Sequence, residues 1–290
     1  MPLCLPTRSF TFLLCAASLL LAGGCAGRPA APIAQQPGDS QLSQAAIAAR
    51  LQTLLPADAL LLGEQHDAAE HQHIEQQVVA HLAAQGWLAA VTLEMADTGV
   101  STAALQADAS QEQVRQALKW NDKGWPWAAY GPAVMSAVRA GVPVVGANLP
   151  RAQMPASMTD SKLDQRLPGP ALKAQQQGIR IGHCQLLPES QITPMARIQI
   201  AKDISMAAAI QQAARPGKVV LLLAGNGHVD RQLGVPQHLP VDLKAKAVSL
   251  RAGDGSDGGK QADAFDSVWP TPALPPTDYC AGLKQQLAPK

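Results

Sequence analysis

Two stretches, "ALLLG" from Ala59 and "KVVLLLAG" from Lys218, are apolar along almost their whole length rather than at alternate positions. A strand with one face in water carries a polar residue at every second place. Uninterrupted runs therefore belong to strands buried on both faces, the kind found in parallel sheets. Three further runs have the same character: "AAVTLEM" from Ala89, "VPVVGAN" from Val142 and "AKAVSLRA" from Ala245. Helical periodicity fills the gaps. In "AAEHQHIEQQVVAHLAAQG", Ile74, Val78 and Leu82 recur every four residues, Glu70, His71, Gln77 and His81 fall on other faces, and Gly86 ends the helix. This alternation predicts an α/β fold, a mainly parallel central sheet flanked by helices. Residues 101–140 and 152–214 are longer and more helical than a simple crossover requires, which predicts a smaller helical subdomain beside the sheet.

The ends of the chain lie outside that pattern. Residues 1–24 combine a weakly basic start, the apolar run "TFLLCAASLLL" and the small residues "AGG" ahead of Cys25, so they read as a bacterial lipoprotein signal peptide with Cys25 as the lipidated residue. One departure is Ala22, where such signals more often carry leucine. Residues 25–43, rich in proline and alanine, read as a flexible tether. The α/β domain is expected over 44–252, with 253–290 as a loop and a tail that packs back on it. Cys4 and Cys15 leave with the signal, so the mature domain keeps Cys184 and Cys280, either a disulfide of an oxidising compartment or two separate thiols. The 23 basic and 22 acidic residues give a net charge of +1 with no basic stripe, which argues against a nucleic-acid partner.

Chemistry gathers where the apolar runs stop. Glu64 and His66 follow the first run, Glu94 lies in the second, Asn148 and Arg151 end the third, and Asn226 and His228 follow the fourth. In an open parallel sheet the carboxyl ends of the strands line the ligand crevice, so these side chains are expected in one cleft. Each also has a plainer role: helix capping for Glu64 and His66, an ion pair for Glu94 with Arg151, a turn for Asn226. Two histidines with carboxylates would suit a divalent metal such as zinc, iron or manganese. "HQH" at 71–73 reads instead as a solvated helix face.

Aromatic residues are scarce, yet "WNDKGWPWAAYGP" holds Trp120, Trp125, Trp127 and Tyr130. The group is either ordinary packing or a flat apolar platform for a porphyrin. In the second case Tyr130 would ligate ferric iron, and Arg151 or Lys123 would meet the propionates. His183 reads either as a third cleft histidine or as a loop residue beside Cys184. Met195 and Met206 read as core.

Taken in order, "LLGEQHD", "VTLEM", "WPWAAYGP", "GVPVVGANLPR", "AKDISMA" and "LLLAGNGHVDRQLGVP" resemble the ChaN-like family of haem-binding, iron-regulated lipoproteins, within a superfamily that includes the TIKI proteins and the erythromycin esterases. The resemblance implies a large α/β domain with a smaller helical one, outer-membrane attachment facing the periplasm, and haem binding for haem and iron uptake. It also implies homodimers enclosing paired haems through tyrosine, and an outer-membrane haem receptor as partner. Tyr130 and Tyr279 are the only phenols, and Tyr130 is the preferred ligand. The wider superfamily implies an alternative, a metal-dependent hydrolase working through the GEQH and GNGH motifs.

Overall fold

The computed structural model describes residues 42–253 and 262–287. The expected signal peptide, Cys25, nearly all of the tether and the loop at 254–261 lie outside the described residues. In chain order the main elements are α1 (Gln44–Leu54), β1 (Ala59–Glu64), α2 (Ala69–Ala84), β2 (Leu88–Asp97), α3 (Gln111–Ala117), α4 (Trp127–Arg139), β3 (Val144–Asn148), α5 (Met154–Thr159), α6 (Gly169–Gly182), α7 (Glu189–Ala213), β4 (Val219–Gly225), α8 (Asn226–Val229), β5 (Ala245–Ala252), β6 (Ser267–Thr271) and α9 (Tyr279–Leu287).

The strands form one sheet in the order β3-β2-β4-β1-β5-β6, and every pair is parallel. Two apolar clusters explain the continuous runs. Leu60, Leu62, Leu221 and Leu223 pack with Ile47, Leu51, Ile74, Val78 and Val134 from α1, α2 and α4 on one face. Ala59, Leu61, Val220 and Leu222 pack with Met206 and Ile210 of α7 on the other. Each leucine so buried contributes roughly 1.5–3 kcal/mol, which is why β1 and β4 carry apolar side chains on both faces. Ser43 caps α1, its hydroxyl accepting the Ala46 N–H at 3.2 Å, and Gly86 closes α2 at φ +66°.

A sixth strand was not expected from the sequence. Residues 267–271 carry Pro270, which removes a ladder donor; the strand exists because it is the sheet edge, where a proline can sit with its nitrogen unpaired. The helical stretches pack onto the sheet: α4 lies against α2, α7 runs along β3 and β2, and α5 and α6 lie on α7. Arg197 anchors that layer through two bonds to Asp164, of 2.8 and 2.6 Å. Cys184, just beyond α6, forms a disulfide with Cys280 in α9. Among the described residues no helix is long and apolar enough to cross a membrane.

Candidate functional site

Because β1, β2 and β4 are adjacent and parallel, their carboxyl ends deliver Glu64, Glu94 and the Asn226–His228 turn to one place. Glycines permit the closeness. A Cβ on Gly63 would lie 2.4 Å from Val229 Cγ2 and 2.6 Å from Asn226 Oδ1, and one on Gly225 would lie 2.8 Å from His66 Nε2. At the far side, β2 slips register against β3 between Leu93 and Asp97, a bulge that places Glu94 where the ladder is interrupted.

Glu64 is buried at the last position of β1. Its Oε1 accepts the Tyr130 hydroxyl at 2.8 Å and lies 2.7 Å from His66 Nδ1, while its Oε2 accepts from the Gln72 amide. Glu94 Oε2 accepts the Gly225 N–H at 2.8 Å, and its Oε1 lies 3.3 Å from His228 Nε2 and 3.8 Å from Lys202 Nζ. His228 in turn places Nδ1 2.6 Å from Asp203 Oδ1. Burial opposes the charge on His228, but Glu94 and Asp203 outweigh it and push the imidazole up to about 10. Burial likewise opposes the charge on Glu94, yet His228, His66 and Lys202 hold that carboxyl well below its usual range. Asp203 is raised by burial to about 6 against the pull of His228. The result at neutral pH is a buried clamp, carboxylate–imidazolium–carboxylate, joining β2, α8 and α7.

His66 is the partly open member, with two-fifths of its side chain exposed. Burial lowers its pKa, but the bond to Glu64 and the charge of Glu94 more than offset that, so it is raised. Its Nε2 stands 3.8 Å from Glu94, beyond a hydrogen bond, and its ring meets Trp125 edge-on at 4.8 Å. A cleft of about 430 Å³ opens over these groups, walled by Gln65, Gln175, Ile179, Gln199 and Leu233.

Asn226 lines this cleft, and both asparagines also tie strand ends together. Asn148 donates to the Glu94 carbonyl at 2.8 Å, and Asn226 ties the end of β4 to β5 by donating to Leu250 O and accepting from Ser249. Arg151 is exposed in the turn after β3, and the expected Glu94–Arg151 pair is replaced by Lys202 and the two histidines. His183 caps α6 with Nδ1 2.8 Å from Ile179 O and does not line the cleft. The aromatic group divides: Trp125 and Tyr130 lie at 5.8 Å beside His66, whereas Trp127 lines a separate hollow of about 360 Å³ with Gln111, Met135 and Arg139. Tyr130 is buried, and burial followed by the charge of Glu64 raises its pKa.

The expected divalent-metal centre is not formed. Among the described residues no group of three or more His, Cys, Asp or Glu side chains is arranged to hold a metal ion, because both ring nitrogens of His228 face carboxylates and Nδ1 of His66 faces Glu64. "HQH" is only in part the expected solvated face: His73 is exposed, whereas His71 and Gln72 are buried. His71 is fully buried, accepting the Gln65 N–H at 2.9 Å on Nδ1 with Nε2 2.9 Å from Thr271, and burial lowers it to about 4. Asp203, Lys202, Gln72 and Glu75 were not foreseen. A signal for Asp203 existed, an acid between Ile200 and Met206 on an apolar helical face.

A family model described as haem-binding uptake, Tiki superfamily, ChaN matches residues 50–239. Among solved structures, one described as "Cofacial heme binding to ChaN of Campylobacter jejuni" is 25% identical with a TM-score of 0.60, over 71% of this chain and 86% of that one. The type III effector HopBA1 is 15% identical with a TM-score of 0.43, covering 75% and 88%. A Bacillus cereus protein is 13% identical with a TM-score of 0.40, covering 72% and 69%. A search of curated proteins finds no match.

Proposed function

The chain belongs to the haem-binding uptake family ChaN of the Tiki superfamily, and from that premise we propose that it binds haem and serves haem and iron uptake as a lipid-anchored protein of the outer membrane, facing the periplasm. The observation that carries the reading is the likeness to the Campylobacter jejuni ChaN described with cofacial haem, which extends over most of both chains.

His66 and Trp125 stand where such a ligand would enter the cleft, with Tyr130 buried behind them. Trp125 offers an apolar ring beside the opening and His66 an unbonded ring nitrogen. Of the two phenols, Tyr130 lies against the tryptophans, and to bond iron it must leave Glu64; the carboxylate already accepting its hydrogen is the group placed to keep the proton. Haem when bound supplies the iron centre; the chain supplies the phenol, its proton acceptor and the apolar wall. Tyr279, exposed and bonded to Asp67, is the other phenol to be tested. Trp127, Arg151 and His183 do not line this opening and would contact the ring only at a second copy or after movement. A homodimer and an outer-membrane haem receptor belong to the same proposal. The hydrolase alternative draws no support from the geometry, since Nδ1 of His66 and both ring nitrogens of His228 face carboxylates.

Titrating the protein with ferric haem at neutral pH should give a saturable Soret shift that Tyr130→Phe weakens at least tenfold and Tyr279→Phe leaves nearly unchanged. Absence of a saturable shift in the wild type overturns the haem reading, and an unaltered Tyr130→Phe spectrum removes Tyr130 from the site. The anchor is tested separately: a fatty-acid label on the wild type should be lost in Cys25→Ser.

A further inference from the structure

The amino ends of the same strands form a second cavity, of about 450 Å³, on the edge opposite the Glu64–His228 cleft. It arises because α1 stops at Leu54 and the chain turns through Leu55 and Pro56 before entering β1. Leu55, Pro56, Ala57 and Val219 give it an apolar lining, with the half-buried indole of Trp87 alongside. Lys218 and Lys244 stand on its rim.

Besides the neutral amide of Gln52, the charged groups of this cavity are two lysines and one acid. Lys218 Nζ is held next to Trp87 by donating to the carbonyl of Gly86. Asp58, the one acid of the lining, already accepts the Lys244 backbone N–H at 2.9 Å through Oδ2. Neither the Lys244 ammonium nor the Trp87 indole N–H has a partner among the described residues. Two cations against one carboxylate, with a spare indole donor, leave a net positive rim over an apolar floor. A volume in the range of small-molecule pockets with few convergent polar groups is the usual form of a ligand site.

We propose that this cavity binds an amphipathic monocarboxylate, its apolar body against Leu55, Pro56, Val219 and Trp87 and its acid group between Lys244 and Lys218. An anionic head satisfies the unpaired donors, and charge-assisted bonds to ammonium groups are the stronger kind. An uncharged amphiphile of the same length would fill the floor and leave the rim unsatisfied.

The test is calorimetry and tryptophan fluorescence on the full chain, with dodecanoate below its micellar concentration as the probe and dodecanol as its uncharged counterpart. Dodecanoate should bind saturably at one per chain and quench fluorescence. Dodecanol should bind at least tenfold more weakly, as should dodecanoate to the surface variant Lys244→Glu, and the Tyr130→Phe variant should bind dodecanoate as the wild type does. The quench should vanish in Trp87→Leu. Failure to saturate, equal affinity for dodecanol, or unchanged binding in Lys244→Glu overturns the proposal.

Discussion

Glu75 is the residue whose situation is most costly. It lies on α2 directly in the core, fully buried, and neither carboxyl oxygen has a hydrogen-bond partner among the described residues. Burial, and then the charge of Glu64, push its pKa well above the carboxylate range. An acid whose folded pKa exceeds its unfolded one binds more protons when folded, so stability is lost as pH rises through the interval between the two values. Glu75→Met keeps the volume and removes the unpartnered oxygens. It should raise unfolding free energy at pH 7 by about 1–3 kcal/mol, measured by urea denaturation, and flatten the decline with pH. A less stable variant would mean that the carboxyl has a structural partner. A signal for Glu75 existed, since it shares a helical face with Val78, Val79 and Leu82, but only the packing of α4 on α2 shows that this face is closed over it.

At the scale of elements, the unit is the clamp that binds β2, α8 and α7 through Glu94, His228 and Asp203. His228 is raised to about 10 from an ordinary 6.5, so its contribution is fully present below about 6.5 and disappears as pH climbs toward 10. His228→Gln leaves the buried Asp203 without its hydrogen-bonded cation and Glu94 with only Lys202 and His66, and should cost roughly 3–5 kcal/mol at pH 7. The deciding measurement is the pH profile: wild-type stability should fall between pH 7 and 10, and the variant should lack that part of the slope. A parallel profile would mean that His228 is neutral in the folded protein. The motif "GNGH" announced a turn with a histidine; the structure has the histidine on the short helix α8. That the histidine faces two acids instead of a metal was invisible, since Asp203 is 25 residues away on another helix.

For the whole molecule, the attachment of α9 decides how far the cooperative core extends. That helix is attached by the Cys184–Cys280 disulfide, which spans 96 residues, and by the bond from Tyr279 to Asp67. Closing a loop of that length is worth at most about 4.7 kcal/mol on a chain-entropy model. Since residues 279–284 of α9 are exposed or half-buried, its release keeps the loss below that ceiling. Cys280→Ser should therefore lower unfolding free energy by less than about 4 kcal/mol and open a new protease site beyond Thr271, while the sheet keeps its amide protection. Loss of protection throughout β1 and β4 would show that α9 is part of the cooperative core.

The α/β class, the parallel central strands and the convergence of Glu64, His66, Glu94 and His228 followed from the sequence because each depends on local facts: which residues are apolar on both strand faces, and what stands where a strand stops. Strand pairing turns those local facts into one site, and the glycines at 63 and 225 give the backbone the room to make it. The tertiary structure alone decided which charges meet. Lys202 and Asp203 reach the cleft floor because α7 packs along β3 and β2, Trp125 and Trp127 part because the turn into α4 separates them, and His71 is buried because α2 meets the edge strand that carries Thr271. Side-chain chemistry is written in the sequence, but the balance of burial and opposing charge that sets protonation exists only between elements that are distant along the chain.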